Sequence, residues 1–263
     1  MQLAGWISWS LNVFPLLRPA LCNIYIKTSG KEDKWCEIYV KKAVAEELSW
    51  FREHAWRSSD VLLFKAIDWN PLFDTDFEIL TDACLDGMGF WAPHLQLGSY
   101  ADVPFKTNGK ILFWEAVCVL SAIDWFCRKL LKHCHISFPS DRSIRLTILT
   151  DNMNTVNIYD SLSALPGYND LLWASVDLLL EHNIDLWVLH IPGKDNVIAD
   201  LISRKKFGEA ICLAPSLQIS HFQPPQCVLG AAKKWWLWLH TDHDSHSGFC
   251  GLQKSCCVIM QLH

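Results

Sequence analysis

The chain has 263 residues, 51% of them hydrophobic and 19% charged, with a formal net charge of −5. That length allows one full domain with flanking segments, taking roughly 100 to 200 residues per domain, and the apolar balance excludes a largely disordered chain. The acidic balance excludes nucleic-acid binding carried by a large basic surface, while leaving room for a carboxylate site that divalent cations neutralise.

Eleven cysteines, an odd number without small-framework spacing, predict free thiols in a reducing, intracellular compartment, cytoplasmic or nuclear. The stretch from Leu3 to Leu21 is apolar, but it lacks a basic lead-in and carries Pro15, Arg18 and Pro19. It suits neither a signal peptide nor a spanning helix, so no membrane association is expected.

Val44, Leu48, Phe51 and Ala55 fall at helical spacing between Val40 and Trp56, with Lys41, Glu46 and Arg52 among the intervening positions. This predicts an amphipathic helix that needs a packing partner. From Phe77 the period changes to two: Phe77, Ile79 and Thr81 alternate with Glu78, Leu80 and Asp82, and Asp86-Gly87 precedes a second extended run, Met88 to Ala92. Asp-Gly between such runs predicts a hairpin, because both residues tolerate positive φ. Ile111 to Trp114 is read as a third strand, after a polar loop with Lys106, Asn108 and Gly109.

Glu115 to Lys132 reads as a helix: Val117, Leu120, Ile123, Cys127 and Leu130 share one face, and Ser121, Asp124, Arg128 and Lys132 lie on another. Arg145 to Thr150 is the fourth strand, ending at Asp151-Asn152 and feeding a short helix through Tyr159 that closes at Pro166-Gly167. A helix from Asp170 to His182, a fifth strand from Ile184 to Ile191, the turn Pro192-Gly193-Lys194 and a last helix through Arg204, capped by Asp195 or Asn196, complete the order. Three strands, helix, strand, helices, strand, helix predict an α/β fold: a mixed five-stranded sheet flanked by helices, with an N-terminal helical segment.

Four acids stand at the ends of these elements: Asp82 on the first strand, Glu115 opening a helix, Asp151 ending a strand, and Asp200 in the first turns of the last helix. Hydrolysis of a phosphodiester needs an activated water and a stabilised leaving oxygen, which two hard cations held by carboxylates provide. Each acid also has an ordinary role. A single Asp is usually a solvated surface group, and Glu115 and Asp200 both favour a helix N-terminus.

The segments LTDACLDGMGFW, WEAVCVLSAI, LTILTDNMNTV and LHIPGKDNVIADLISR resemble the four consecutive motifs of the ribonuclease H domain in retroelement reverse transcriptases. The last is the most specific, and the resemblance covers about half the chain. More weakly, LNVFPLLRPAL and the helix around Leu48 to Trp56 resemble the segment joining polymerase to ribonuclease H in fungal-type elements. The resemblance implies a ribonuclease H-like fold and a fragment of a larger polyprotein. It also implies endonucleolytic cleavage of the RNA strand in an RNA·DNA hybrid, with two Mg2+ or Mn2+ ions on Asp82, Glu115, Asp151 and Asp200. Asn152, beside that set, and Arg204, ahead of Lys205 and Lys206, are the candidate substrate contacts.

The expected divisions are a connection-like helical segment at 1–72, the ribonuclease H-like domain at 73–206 and an irregular tail at 207–263. Two departures bear on activity. Many ribonucleases H carry a histidine in a mobile loop before the last helix, whereas only Pro192 to Asp195 stand there in this chain, and His190 reads as a strand-end residue. Some members have a basic helical extension where this chain has Leu165 to Tyr168, which implies reliance on polymerase domains of the parent polyprotein for substrate binding. A catalytically inactive remnant, acting as a folded or nucleic-acid-binding module, is the alternative. A related proofreading exonuclease is disfavoured because Ala83 and Cys84 follow Asp82, without an Asp-x-Glu pair. In the tail, His240, His243, His246, Cys250, Cys256 and Cys257 match no standard zinc spacing, and a degenerate end is the simpler reading.

Overall fold

The computed structural model describes residues 2–30, 39–58, 69–104, 111–131 and 142–229. The polar loop with Lys106, Asn108 and Gly109, the end of the helix at Lys132, and His240, His243, His246, Cys250, Cys256 and Cys257 of the tail lie outside the described residues.

Strands β1 (Phe77–Ala83), β2 (Gly87–Ala92), β3 (Leu97–Asp102), β4 (Ile144–Thr150), β5 (Ile184–His190) and β6 (Gln218–His221) form one sheet in the order β5-β4-β1-β2-β3-β6. β1 runs antiparallel to β2, and β2 to β3, while the β1/β4, β4/β5 and β3/β6 pairs are parallel. This is the expected α/β class with a mixed sheet, enlarged by one strand.

Period-2 alternation divides the sheet's two faces. Met88, Phe90 and Ala92 of β2 join Phe77, Ile79 and Ala83 of β1 in the main core. That core is closed by α4 (Ile111–Trp125), α5 (Met153–Ser161) and α6 (Pro166–Glu181). Trp114, Leu120, Ile123 and Phe126 are fully buried in it. The opposite face of β2 and β3 presents Trp91 and Tyr100 to a smaller core made by α7 (Val197–Ser203) and α8 (Phe207–Leu213), with Leu201, Ile202 and Ala210. β2 is stripped of side chains where α7 crosses it. A Cβ on Gly87 would lie 2.3 Å from the Ser203 carbonyl oxygen, and one on Gly89 2.5 Å from the Ser203 nitrogen. Gly87, read from sequence as a turn residue, is therefore needed for space; its φ is not in the left-handed region.

The expected third strand at Ile111 to Trp114 is instead the first turn of α4, and β3 lies upstream. Four apolar residues in a row carry no period that separates helix from strand. The true strand's signal was diluted by Gly98 and Ser99, the former making room for the Ile202 and Leu217 side chains. The tail expected to be irregular from 207 contains α8 and β6 within its described part. β6 has one aliphatic side chain, Ile219, and is specified by its ladder with β3, not by its own pattern.

The N-terminal helices α1 (Gln2–Ser10), α2 (Cys22–Thr28) and α3 (Lys42–Arg57) share a small cluster of Ile7, Leu21, Ile24 and Val44. They find their partner in α6. Trp50 stacks on Trp173 at 5.5 Å and donates from Nε1 to Asp177 at 2.9 Å. Asn169 Nδ2 donates to the Pro19 carbonyl at 2.9 Å and to Glu47 Oε1 at 3.2 Å. No described helix is long and apolar enough to cross a membrane.

Candidate metal centre

β1 and β4 are adjacent and parallel, so their C-terminal ends lie side by side, the usual location of sites in sheets of this kind. Asp82 comes from the end of β1, and Asp151 directly follows β4. Glu115, about one turn into α4, reaches the same edge because α4 packs across β1 and β2. One carboxylate oxygen from each of the three lies within 4.8 Å of the others. Asp82 and Glu115 are buried and Asp151 half-buried.

Asp200, on α7, stands outside this close group. Its Oδ1 accepts from Arg204 Nε at 2.6 Å. Its charge still acts on the site, since burial first, and then the neighbouring charges of Asp151 and Asp200, push the Asp82 carboxyl up to about 7 against the lowering effect of the Ser203 hydroxyl. Burial, reinforced by Asp82 and Asp151, pushes Glu115 up to about 9. Glu115 Oε2 is buried without a hydrogen-bond partner. Three converging carboxylates, two of them made reluctant to ionise by burial and one with an orphaned oxygen, form a donor set suited to a hard divalent cation.

The two expected substrate contacts have local duties. Asn152 caps α5, its Oδ1 accepting from the Asn154 and Thr155 nitrogens at 3.1 Å each. Arg204 is engaged with Asp200 through Nε, and in the basic run that follows, Lys205 pairs with Asp102 and Lys206 with Glu209. His190 is exposed at the end of β5, paired in register with Thr150.

Two residues escaped sequence reasoning. Ser203, inside the segment LHIPGKDNVIADLISR, donates to Asp82 Oδ2 at 2.5 Å. Asn196 occupies the cap position of α7, but its amide makes no cap; Nδ2 donates instead to the Thr81 carbonyl at 2.9 Å, joining α7 to β1 beside Asp82. Both sat in the most specific motif, yet what they bond to depends on a strand more than a hundred residues away.

No family model matches the chain, and no curated protein matches it. Among solved structures the chain is similar to LC11-RNase H1 in complex with an RNA/DNA hybrid, at 16% identity over 51% of this chain and 99% of that one, with a TM-score of 0.36. It is also similar to RNase H1 from the halophilic archaeon Halobacterium salinarum NRC-1, at 12% identity over 51% of this chain and 98% of that one, with a TM-score of 0.34. The fold itself is α/β, a mixed six-stranded sheet flanked by helices.

Proposed function

We propose that this chain is a metal-dependent endonuclease of the ribonuclease H type, cleaving the RNA strand of RNA·DNA hybrids inside the cell as a fragment of a retroelement reverse transcriptase. The observation that carries the reading is the meeting of Asp82, Glu115 and Asp151 at one edge of the sheet, with one oxygen of Glu115 unpartnered. The retroelement origin rests on the motif resemblance, as do the division into a connection-like segment at 1–72 and a nuclease domain at 73–206 and the partnership with polymerase domains.

In this reading Asp82, Glu115, Asp151 and Asp200 hold two Mg2+ or Mn2+ ions, which supply water activation and stabilisation of the leaving oxygen. The protein's own part is to place the carboxylates. β1 and β4 deliver two of them from adjacent strands, and α4 delivers the third from the sheet face. Substrate is held by shape and by phosphate and 2′-hydroxyl contacts, for which Asn152, next to Asp151, and Arg204, four residues after Asp200, are the candidates.

One observation favours the second reading, an inactive remnant that persists as a folded module: Asp200 is turned to Arg204 and does not join the close group. A labelled RNA·DNA hybrid incubated with the full chain and Mg2+, beside Asp151→Asn, separates the two. Cleavage by the parent, reduced at least about a hundredfold in the variant, supports the nuclease. Equal behaviour of the two proteins leaves the remnant.

A further inference from the structure

The motif that carries Asp200 also carries Ser203, which the nuclease reading leaves without a task. Ser203 is buried at 1% exposure. Its hydroxyl donates to Asp82 Oδ2 at 2.5 Å, with the Asp200 carbonyl oxygen within reach at 2.9 Å. The backbone of Ser203 is fixed independently of that bond. Its nitrogen lies over Gly89 and its carbonyl over Gly87, close enough that a Cβ at either glycine would collide. The same carbonyl accepts from Cys84 Sγ at 3.3 Å. The hydroxyl is thus presented to Asp82 from a frame that the sheet itself locates.

An aspartate carboxylate turns within a broad, roughly two-fold torsional well, so packing alone does not set the direction of its oxygens. Among the described residues, Ser203 provides the side-chain hydrogen bond that Asp82 receives. We propose that Ser203 is a positioning residue: it locks the rotation of the Asp82 carboxylate and so presents that group to the cation shared with Glu115 and Asp151. The inference rests on the metal-dependent reading above. Partners of this kind behind a metal ligand typically change cation affinity by about 10- to 100-fold when removed.

The test uses the full chain, with Mn2+ as the probe. Calorimetric titration gives its dissociation constant for the parent, Ser203→Ala and Ser203→Thr, and the Mn2+ concentration for half-maximal hybrid cleavage gives a second measure. Ser203→Ala is expected to weaken Mn2+ binding about tenfold or more and to shift the half-maximal concentration in parallel, with cleavage approaching the parent's at saturating Mn2+. Ser203→Thr, which keeps the hydroxyl, is expected to restore binding to within about twofold. If circular dichroism shows Ser203→Ala unfolded, Ser203→Cys, of similar shape but a weaker donor, carries the same expectation of weaker binding. Parent-like affinity in the hydroxyl-free variant overturns the positioning role, as does a threonine variant as weak as alanine. In both cases a parent that binds Mn2+ and cleaves leaves the nuclease reading intact. A parent that binds no Mn2+ overturns both.

Discussion

Glu47 offers a prediction remote from the candidate centre. Its side chain is fully buried where α2, α3 and α6 meet, with Asn23 donating through its backbone nitrogen to both carboxylate oxygens at 2.9 Å and through Nδ2 to Oε1 at 2.9 Å. Asn169 Nδ2 adds a bond at 3.2 Å. Burial nevertheless dominates, and with Asp170 opposing ionisation it pushes the Glu47 carboxyl from an ordinary 4.5 up to about 7. The folded protein therefore holds this proton more tightly than the unfolded chain does. Stability from Glu47 is fully present below about pH 4.5 and is lost as pH rises through about 7. At about 1.4 kcal/mol per pH unit, the loss across that window is about 3 kcal/mol. For a domain of this size that is roughly 6 to 12 °C in Tm.

Glu47→Gln removes the titration while keeping the shape. Thermal unfolding of parent and variant in EDTA, followed by circular dichroism at pH 5 and pH 8, is the assay. The parent is expected to lose several degrees more than the variant between the two pH values, even though the variant sacrifices part of the hydrogen bonding to Asn23 and is weaker at pH 5. Parallel curves would refute the reasoning, because the other buried acids are common to both proteins and cancel in the comparison.

Two further outcomes follow from the packing and the acid cluster. Gly89→Ala drives a methyl against the Ser203 nitrogen and the Ile202 backbone at 2.5 and 2.9 Å; the expected cost is about 1 to 3 kcal/mol in urea denaturation, and a neutral result would show that α7 shifts freely over β2. Mn2+ at about 100 times its dissociation constant is expected to stabilise the parent by about 2.7 kcal/mol. Glu115→Gln is expected to lose most of that gain, and an equal Tm rise in both proteins would place the cation elsewhere.

Much of the architecture was legible from local signals. The alternation around Phe77 to Asp82, the helical period after Glu115 and the run ending at Thr150 each reflect a face buried over several consecutive turns or pleats. Asp82 and Asp151 were legible as acids at strand ends, which the parallel neighbours β1 and β4 bring together, whereas Glu115, expected to open a helix, lies inside α4. What local pattern did not show is that Asp200 turns to Arg204 or that Asn196 serves β1 in place of its own helix.

The amino-acid order alone determined the α/β class, the positions of most strands and helices, and the acids worth testing, because periodic burial and breaker residues act over a few positions. Only the tertiary structure decided that Ile111 to Trp114 is helical, that β6 extends the sheet, that the N-terminal helices dock on α6, and that Ser203 reaches Asp82. Those outcomes depend on which surfaces meet across many tens of residues, and on whether a glycine leaves room at the crossing. No window of neighbouring residues contains that information.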